Sequence, residues 1–313
     1  MKIIDLIEYG NLFTKKCSTL FNCYSWLSIL RKTYGLEIKV VINNENDFFL
    51  PFSILEDNCI KSIPFGDYIL INYPKVELNR ALELLKETYP EHYFNISIVS
   101  KEYPIIKDFV QTKKGLLNQI NIKKWKESRD WETAYERNIR NALNYGLAVK
   151  ISNSFESVVN FYKLHEQLRI TKFKKLPQPF VFFNNIFEEF IVNRKGFILE
   201  AWSKESLIAS WVILINNDVL YYKFGASDAK YLHLKPNDLL FRSLMQYGSD
   251  NKFRTIDLGF SGTAKAYEGL IRFKSKEGGD KTPIYQIEQL PDEFNINIQN
   301  DKAKDLNELV SKA

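Results

Sequence analysis

The sequence is poor in the residues that build metal sites and disulfide frameworks. Its 313 residues hold three cysteines and three histidines. Cys17, Cys23 and Cys59 form neither a Cys-x-x-Cys pair nor an even set, which fits a reducing compartment. His92, His165 and His233 fall into no metal-ligand spacing, so no metal is expected. A Gly-x-Ser-x-Gly elbow, a Ser/His/Asp order and a Walker loop are all missing, which removes the hydrolase and nucleotide-triphosphatase readings. Long apolar runs are missing too. No window approaches about 18 uncharged apolar residues, and Asp5 and Glu8 interrupt the first ten, so a membrane span and a signal peptide are not expected and a cytoplasmic location is.

What the chain does have is apolar mass: 45% hydrophobic residues, including 23 Phe and 17 Tyr, enough for one large core or two ordinary ones. A net charge of +5 is too mild to establish a nucleic-acid partner and suits weak attraction to phosphates or an anionic membrane surface.

The second half reads most clearly. Leu147 to Ile151 is a short strand after Gly146. Asn153 and Glu156 have the spacing of a capping box for a helix running to Arg169. After Leu-Pro-Gln-Pro at 176–179, a second helix is expected over Phe183 to Val192. Runs at 196–202, 207–215 and 219–224 read as an antiparallel meander. Pro236-Asn237-Asp238 opens a helix, Thr255 to Leu258 is a strand, and a helix near 266–276 and a strand near 284–290 close the unit. The polar residues 291–313 read as a tail. The first half repeats the theme faintly: a helix at 26–34, strands at 36–42, 47–55 and 60–71, a helix at 75–88 and a strand at 93–99, with 123–146 as a bridging helix.

Several residues suit chemistry. Arg137 and Arg140 line one face of the bridging helix and can receive a phosphate, or simply be solvated. Arg169, on one helix side with Tyr162 and His165, can grip a phosphate or carboxylate, or complement the helix dipole. Alternation along 221–224 places Tyr222 with Phe224 and Tyr221 with Lys223, and one tyrosine is expected to face a cleft. Lys274, at a cationic helix end, can stabilise an oxyanion or lie on the surface. Asp67 and Asp257 are candidate general bases or turn caps.

The element order of the second half resembles the GNAT acyltransferase fold. Several segments resemble the Fem family of peptidoglycan-bridge aminoacyltransferases and its FemAB-like GNAT relatives: Pro64-Phe65-Gly66-Asp67-Tyr68, Arg137 to Ala142 with Gly146, Phe161-Tyr162 with Arg169, and Tyr222 with Gly225-Ala226-Ser227. Pro236 to Leu240, Asp257-Leu258-Gly259, and Gly269-Leu270 with Phe273-Lys274 continue the pattern. The likeness spans roughly residues 25–280. It implies an α/β (α+β) protein of tandem GNAT-like domains with mixed, mainly antiparallel sheets: a degenerate first copy at 1–122, the bridge at 123–146 and a second copy at 147–290. It further implies an acyltransferase, in particular an aminoacyltransferase, with Lys274 and Phe273 by the acyl donor, Arg169 on an acceptor phosphate and Tyr222 lining the channel.

The co-substrate implied is aminoacyl-tRNA or acyl-CoA, with no tightly bound cofactor. The partners implied are a phosphorylated or lipid-linked acceptor, tRNA, and peripheral contact with the inner membrane surface. The chain departs from the pattern by lacking the long helical hairpin of some members, and it has no glycine-rich pyrophosphate loop before the 238–250 helix. An acyl-CoA or acyl-carrier-protein dependent N-acyltransferase of surface-polysaccharide amino sugars is an alternative. So is a non-catalytic binder of phosphate ligands or RNA.

Overall fold

The computed structural model describes residues 1–13, 17–127, 133–262, 268–276 and 278–289. Trp131, within the expected bridging helix, and the 291–313 tail lie outside them. The first half runs β1 (Lys2–Asp5), α1 (Leu6–Phe13), α2 (Tyr24–Tyr34), β2 (Glu37–Ile42), β3 (Phe49–Leu55), β4 (Cys59–Ser62), α3 (Lys75–Thr88), β5 (Tyr93–Val99) and β6 (Val110–Asn121). Then come α4 (Ile122–Glu127) and α5 (Thr133–Asn144). The second half runs β7 (Leu147–Ser152), α6 (Phe155–Thr171), α7 (Phe180–Ile186), β8 (Gly196–Ser203), β9 (Ser206–Asn216), β10 (Val219–Ser227), α8 (Pro236–Asp250), β11 (Thr255–Ser261), α9 (Glu268–Lys276) and β12 (Asp280–Gln289).

These strands form one twelve-stranded sheet in the order β1-β2-β3-β4-β5-β12-β6-β11-β10-β9-β8-β7. The order is a repeat with an exchange. Antiparallel β1-β2-β3-β4 followed by parallel β4-β5 is matched by antiparallel β7-β8-β9-β10 followed by parallel β10-β11. The last strand of each half then crosses to the other: β12 pairs with β5, β6 pairs with β11, and β6 and β12 pair antiparallel at the centre. The exchanged strands fuse the mixed, mainly antiparallel sheets expected of tandem units into one.

Both halves split where their parallel pair ends. β10 and β11 pair only over Val219–Tyr221 and Thr255–Asp257, after which β10 stays with β9 and β11 with β6. In the first half, β4 and β5 pair over Cys59–Lys61 and Tyr93–Asn95. There the chain itself re-enters the split: Leu70 bridges Ile98, the Ile69 N–H donates to Ser97 O and the Val99 N–H to Leu70 O. The expected strand over 60–71 is thus two pieces, a short β4 and a plug.

Other expectations shift locally. The cap of α6 is Ser154, whose hydroxyl accepts from the Ser157 N–H at 3.2 Å, and not Asn153. The second helix starts earlier than expected, directly after Pro179, and continues as a π turn over Phe187–Ile191. Two apolar clusters flank the sheet. One carries Trp26, Phe161, Phe182, Phe183 and Tyr221, and the other carries Trp211, Phe241, Leu244 and Ile256.

Candidate active site

The split between β10 and β11 gathers Asp67, Asp257 and Lys274, whose titrations are all shifted. Asp257, in β11, is buried, and its carboxylate takes three donors: Tyr68 Oη at 2.6 Å, Gln119 Nε2 at 3.0 Å and the Gly259 N–H at 2.7 Å. The last closes a bulge in the β11–β6 ladder. Burial pushes the Asp257 carboxyl up to about 6, against the pull of the Tyr68 hydroxyl and with the push of the Asp67 charge. Gly259 sits at φ +74°, where a Cβ would meet Asp67 Oδ2 at 2.5 Å and lie 3.7 Å from Lys274 Nζ. A glycine is required there twice over, by conformation and by space.

Asp67 enters from the first half on the plug segment. Its Oδ2 accepts from the Phe260 N–H at 3.0 Å, and its Oδ1 lies 3.6 Å from Lys223 Nζ. Burial raises its carboxyl, but Lys223, Lys274, the Phe260 N–H and Lys114 together outweigh burial and hold it below the ordinary range. Its side chain is 27% exposed, so the carboxylate can be reached from solvent.

Lys274, on α9, is buried and donates to Phe260 O at 2.7 Å. Burial brings its ammonium down to about 8, with Asp67 and Asp257 resisting. The structure therefore brings Lys274, Asp67 and Asp257 together.

Lys223 joins them, and sequence alternation missed it. A register shift between Tyr222 and Phe224 inserts Lys223 as a bulge. Tyr221 and Phe224 thereby share one face, and Tyr222 points to the other apolar cluster, contrary to the expected pairing of Tyr222 with Phe224. Lys223 donates to Phe65 O at 2.6 Å, with its ammonium 4.6 Å from the ring centre of Phe21 and 5.2 Å from that of Trp26. Tyr221 Oη, in turn, accepts from the Leu20 N–H at 3.2 Å and adjoins Tyr68.

The other expected site residues lie elsewhere. Tyr222 packs on Trp211, ring centres 4.6 Å apart, and burial raises its hydroxyl. Phe273 lies edge-on to Trp211 and Phe241, half-buried against the second apolar cluster. Arg137 and Arg140 are exposed on α5, whose buried side packs through Ile139 and Ala142. Arg169 is held locally, donating to Leu176 O at 3.5 Å with Phe173 under its guanidinium. Its link to the lysine cluster is indirect, from His165 to Phe224 at 6.1 Å and from Phe224 to Lys223.

A carboxyl that titrates only in the fold leaves a signature. The folded Asp257 carboxyl holds its proton more tightly than the unfolded one (3.8), so its contribution is fully present below about pH 4 and lost as pH rises through about 6. The span corresponds to roughly 3 kcal/mol. Urea unfolding of the wild type from pH 4 to 7 is expected to show this falling component, and Asp257→Asn is expected to flatten it.

A family model described as Acetyltransferase (GNAT) domain matches residues 132–274. The chain carries a GNAT acyltransferase domain, and its enzyme class is acyltransferase. Among solved structures it is similar to one described as FemX, at 15% identity and TM-score 0.66, over 96% of this chain and 100% of that one. It is also similar to the C-terminal domain (DUF2156) of a putative lysylphosphatidylglycerol synthetase from Agrobacterium fabrum, at 10% identity and TM-score 0.65, over 94% and 95% of the chains. L-PGS from Bacillus licheniformis matches at 11% identity and TM-score 0.61, over 94% of each. At these identities the likeness establishes the fold. A comparison with curated proteins returns no match.

Proposed function

We propose that the chain transfers an aminoacyl group from an aminoacyl-tRNA ester to an amine on a phosphorylated or lipid-linked acceptor. In this reading, copies at 1–122 and 147–290, joined through 123–146, exchange strands and only the second keeps an open split. The register supports this asymmetry: the position of Asp257 is taken by Asn95 in the first copy.

The observation that carries the choice of donor is the start of α8. A coenzyme A diphosphate needs free N–H groups and positive potential at the helix that follows the meander. Here that helix begins with Pro236, which has no N–H, and its first turn holds the buried Asp238, whose carboxylate accepts from Asn138 Nδ2 at 2.7 Å. Asn237 is occupied by Trp211 Nε1 and Ser227 Oγ, each at 3.1 Å. A second anion at this end meets a carboxylate already in place.

In the proposed reaction the acceptor amine attacks the ester carbonyl, and the Lys274 ammonium stabilises the oxyanion. As the C–N bond forms, the nitrogen becomes acidic and Asp67 takes its proton. The C–O bond then breaks, the amide is released, and the leaving oxygen takes a proton from Lys274. Asp257, with three donors on its carboxylate, has no free reach to substrate and acts by fixing Tyr68 and the bulge.

The test supplies labelled aminoacyl-tRNA or labelled acyl-CoA together with a lipid and cell-wall precursor extract. Transfer that ribonuclease abolishes and acyl-CoA omission leaves intact is expected. Ribonuclease-resistant transfer that depends on acyl-CoA overturns the donor assignment.

A further inference from the structure

The stretch from Gln167 to Phe187 contains Arg169, Lys172, Lys174 and Lys175 and no acidic residue, in a chain that carries 38 of them. It joins the end of α6 to α7, and three of its apolar side chains are turned to the surface while Phe182, Phe183 and Ile186 are buried. Leu176 is 84% exposed, and Ile170 and Val181 are each about half exposed. An unstructured loop would bury or average such groups, but this one is stapled. The Lys175 N–H donates to Arg169 O at 3.1 Å, Arg169 donates back to Leu176 O, and His165 Nε2 pairs with Gln178 Oε1 at 2.8 Å. Lys174 holds a left-handed conformation at φ +53° at the tip. Phe173 lies beneath both Arg169 and Lys172, so the ring fixes the cations beside the exposed leucine.

We propose that this segment is a membrane-docking wedge for anionic phospholipid. Three exposed lysines meet the headgroups, and Ile170, Leu176 and Val181 enter the acyl boundary. The combination selects the partner by chemistry. A charged face alone would suit any polyanion, RNA included, and RNA recognition would use exposed aromatic faces for stacking. Aliphatic side chains held rigidly outward among lysines match a bilayer interface, where buried apolar area and headgroup charge add. A folded loop also loses little entropy on docking, since its staples are already made. The inference stands apart from the proposed reaction, because its readout is binding and needs no turnover.

The experiment is co-sedimentation of the full chain with vesicles of phosphatidylcholine alone, or of phosphatidylcholine with about one third phosphatidylglycerol. The variants are Lys172→Gln/Lys174→Asn/Lys175→Gln, Leu176→Asp, and a charge-matched control, Lys101→Gln/Lys123→Gln/Lys124→Gln, at exposed positions elsewhere. Asn at 174 tolerates the left-handed backbone. Binding to the anionic vesicles is expected for wild type and control, with a loss on the order of 100-fold in the loop triple and a loss of at least tenfold in Leu176→Asp. Circular dichroism melting checks that all variants stay folded. Absence of wild-type binding overturns the proposal, as does an equal loss in the control triple. Retention on tRNA with no response to vesicles overturns it as well.

Discussion

Lys274→Ala is expected to lower kcat by on the order of 1000-fold, with acceptor KM changed only a few-fold. The magnitude follows from the two tasks of one ammonium. Removing a donor to a developing oxyanion costs about 100- to 1000-fold, and losing an acid matched to the leaving oxygen adds to it. Geometry makes the residue hard to replace from solvent, because it is buried and already aligned by Phe260 O. Single-turnover transfer of a labelled aminoacyl group, with a KM-against-kcat split, is the measurement. With Lys274 near 8, wild-type activity is expected to fall above about pH 8 as the ammonium is lost, and the residual activity of the variant is expected to lack that limb.

Stability should move in the opposite sense. The folded Lys274 releases its proton more readily than the unfolded one, whose ordinary value is 10.5, so wild-type stability rises as pH climbs from about 8 to 10.5. Lys274→Met removes the buried charge and keeps the apolar stem, so it is expected to be more stable at pH 7 by roughly 2–3 kcal/mol and to show no such rise. A variant that is inactive and more stable separates a catalytic role from a structural one.

How much of this was legible depended on where the information resides. The second half was readable because its strands alternate strongly and its breakers are sharp: Leu-Pro-Gln-Pro before α7, and Pro236 at the start of α8. β6 was missed because its first part, Val-Gln-Thr-Lys-Lys, is polar and exposed, and its apolar residues cluster only at Leu116, Leu117 and Ile120. The exchange of β6 and β12 has no local signature at all. Their pairing joins Gln119 to Asp280 and Val110 to Glu288, contacts that no short window contains.

The site shows the same division. Lys274 and the two aspartates carry their chemistry in residue type and motif, so they were candidates before the fold was known. Lys223 was not, because its placement depends on a bulge, which also turns Phe224 to the face of Tyr221 and away from Tyr222. Arg169 looked equally suited to a phosphate or to the helix end, and the structure gives it the carbonyl of Leu176 instead. The expected single bridging helix is described as α4 and α5, with Arg137 and Arg140 exposed on the second.

Asp67→Asn is the substitution that tests whether the charges at the split act as one unit. The amide keeps the shape, and its oxygen can still accept from the Phe260 N–H, so folding is expected to survive. What disappears is one negative charge between Lys223 and Lys274. Loss of the proton acceptor alone predicts a fall in kcat of roughly 100- to 10,000-fold. The second consequence is more diagnostic. Of the groups that resist the burial-driven fall of the Lys274 ammonium, Asp67 is the largest, so without it the lysine loses its proton at lower pH. The alkaline limb of the residual activity is therefore expected to move below its wild-type position near pH 8. Asp67→Glu, which restores the charge at a longer reach, is expected to return the limb toward wild type while recovering only part of kcat. A limb that stays in place in Asp67→Asn would mean that Asp67 and Lys274 do not share a field, and the acid and base assigned here would have to be sought apart.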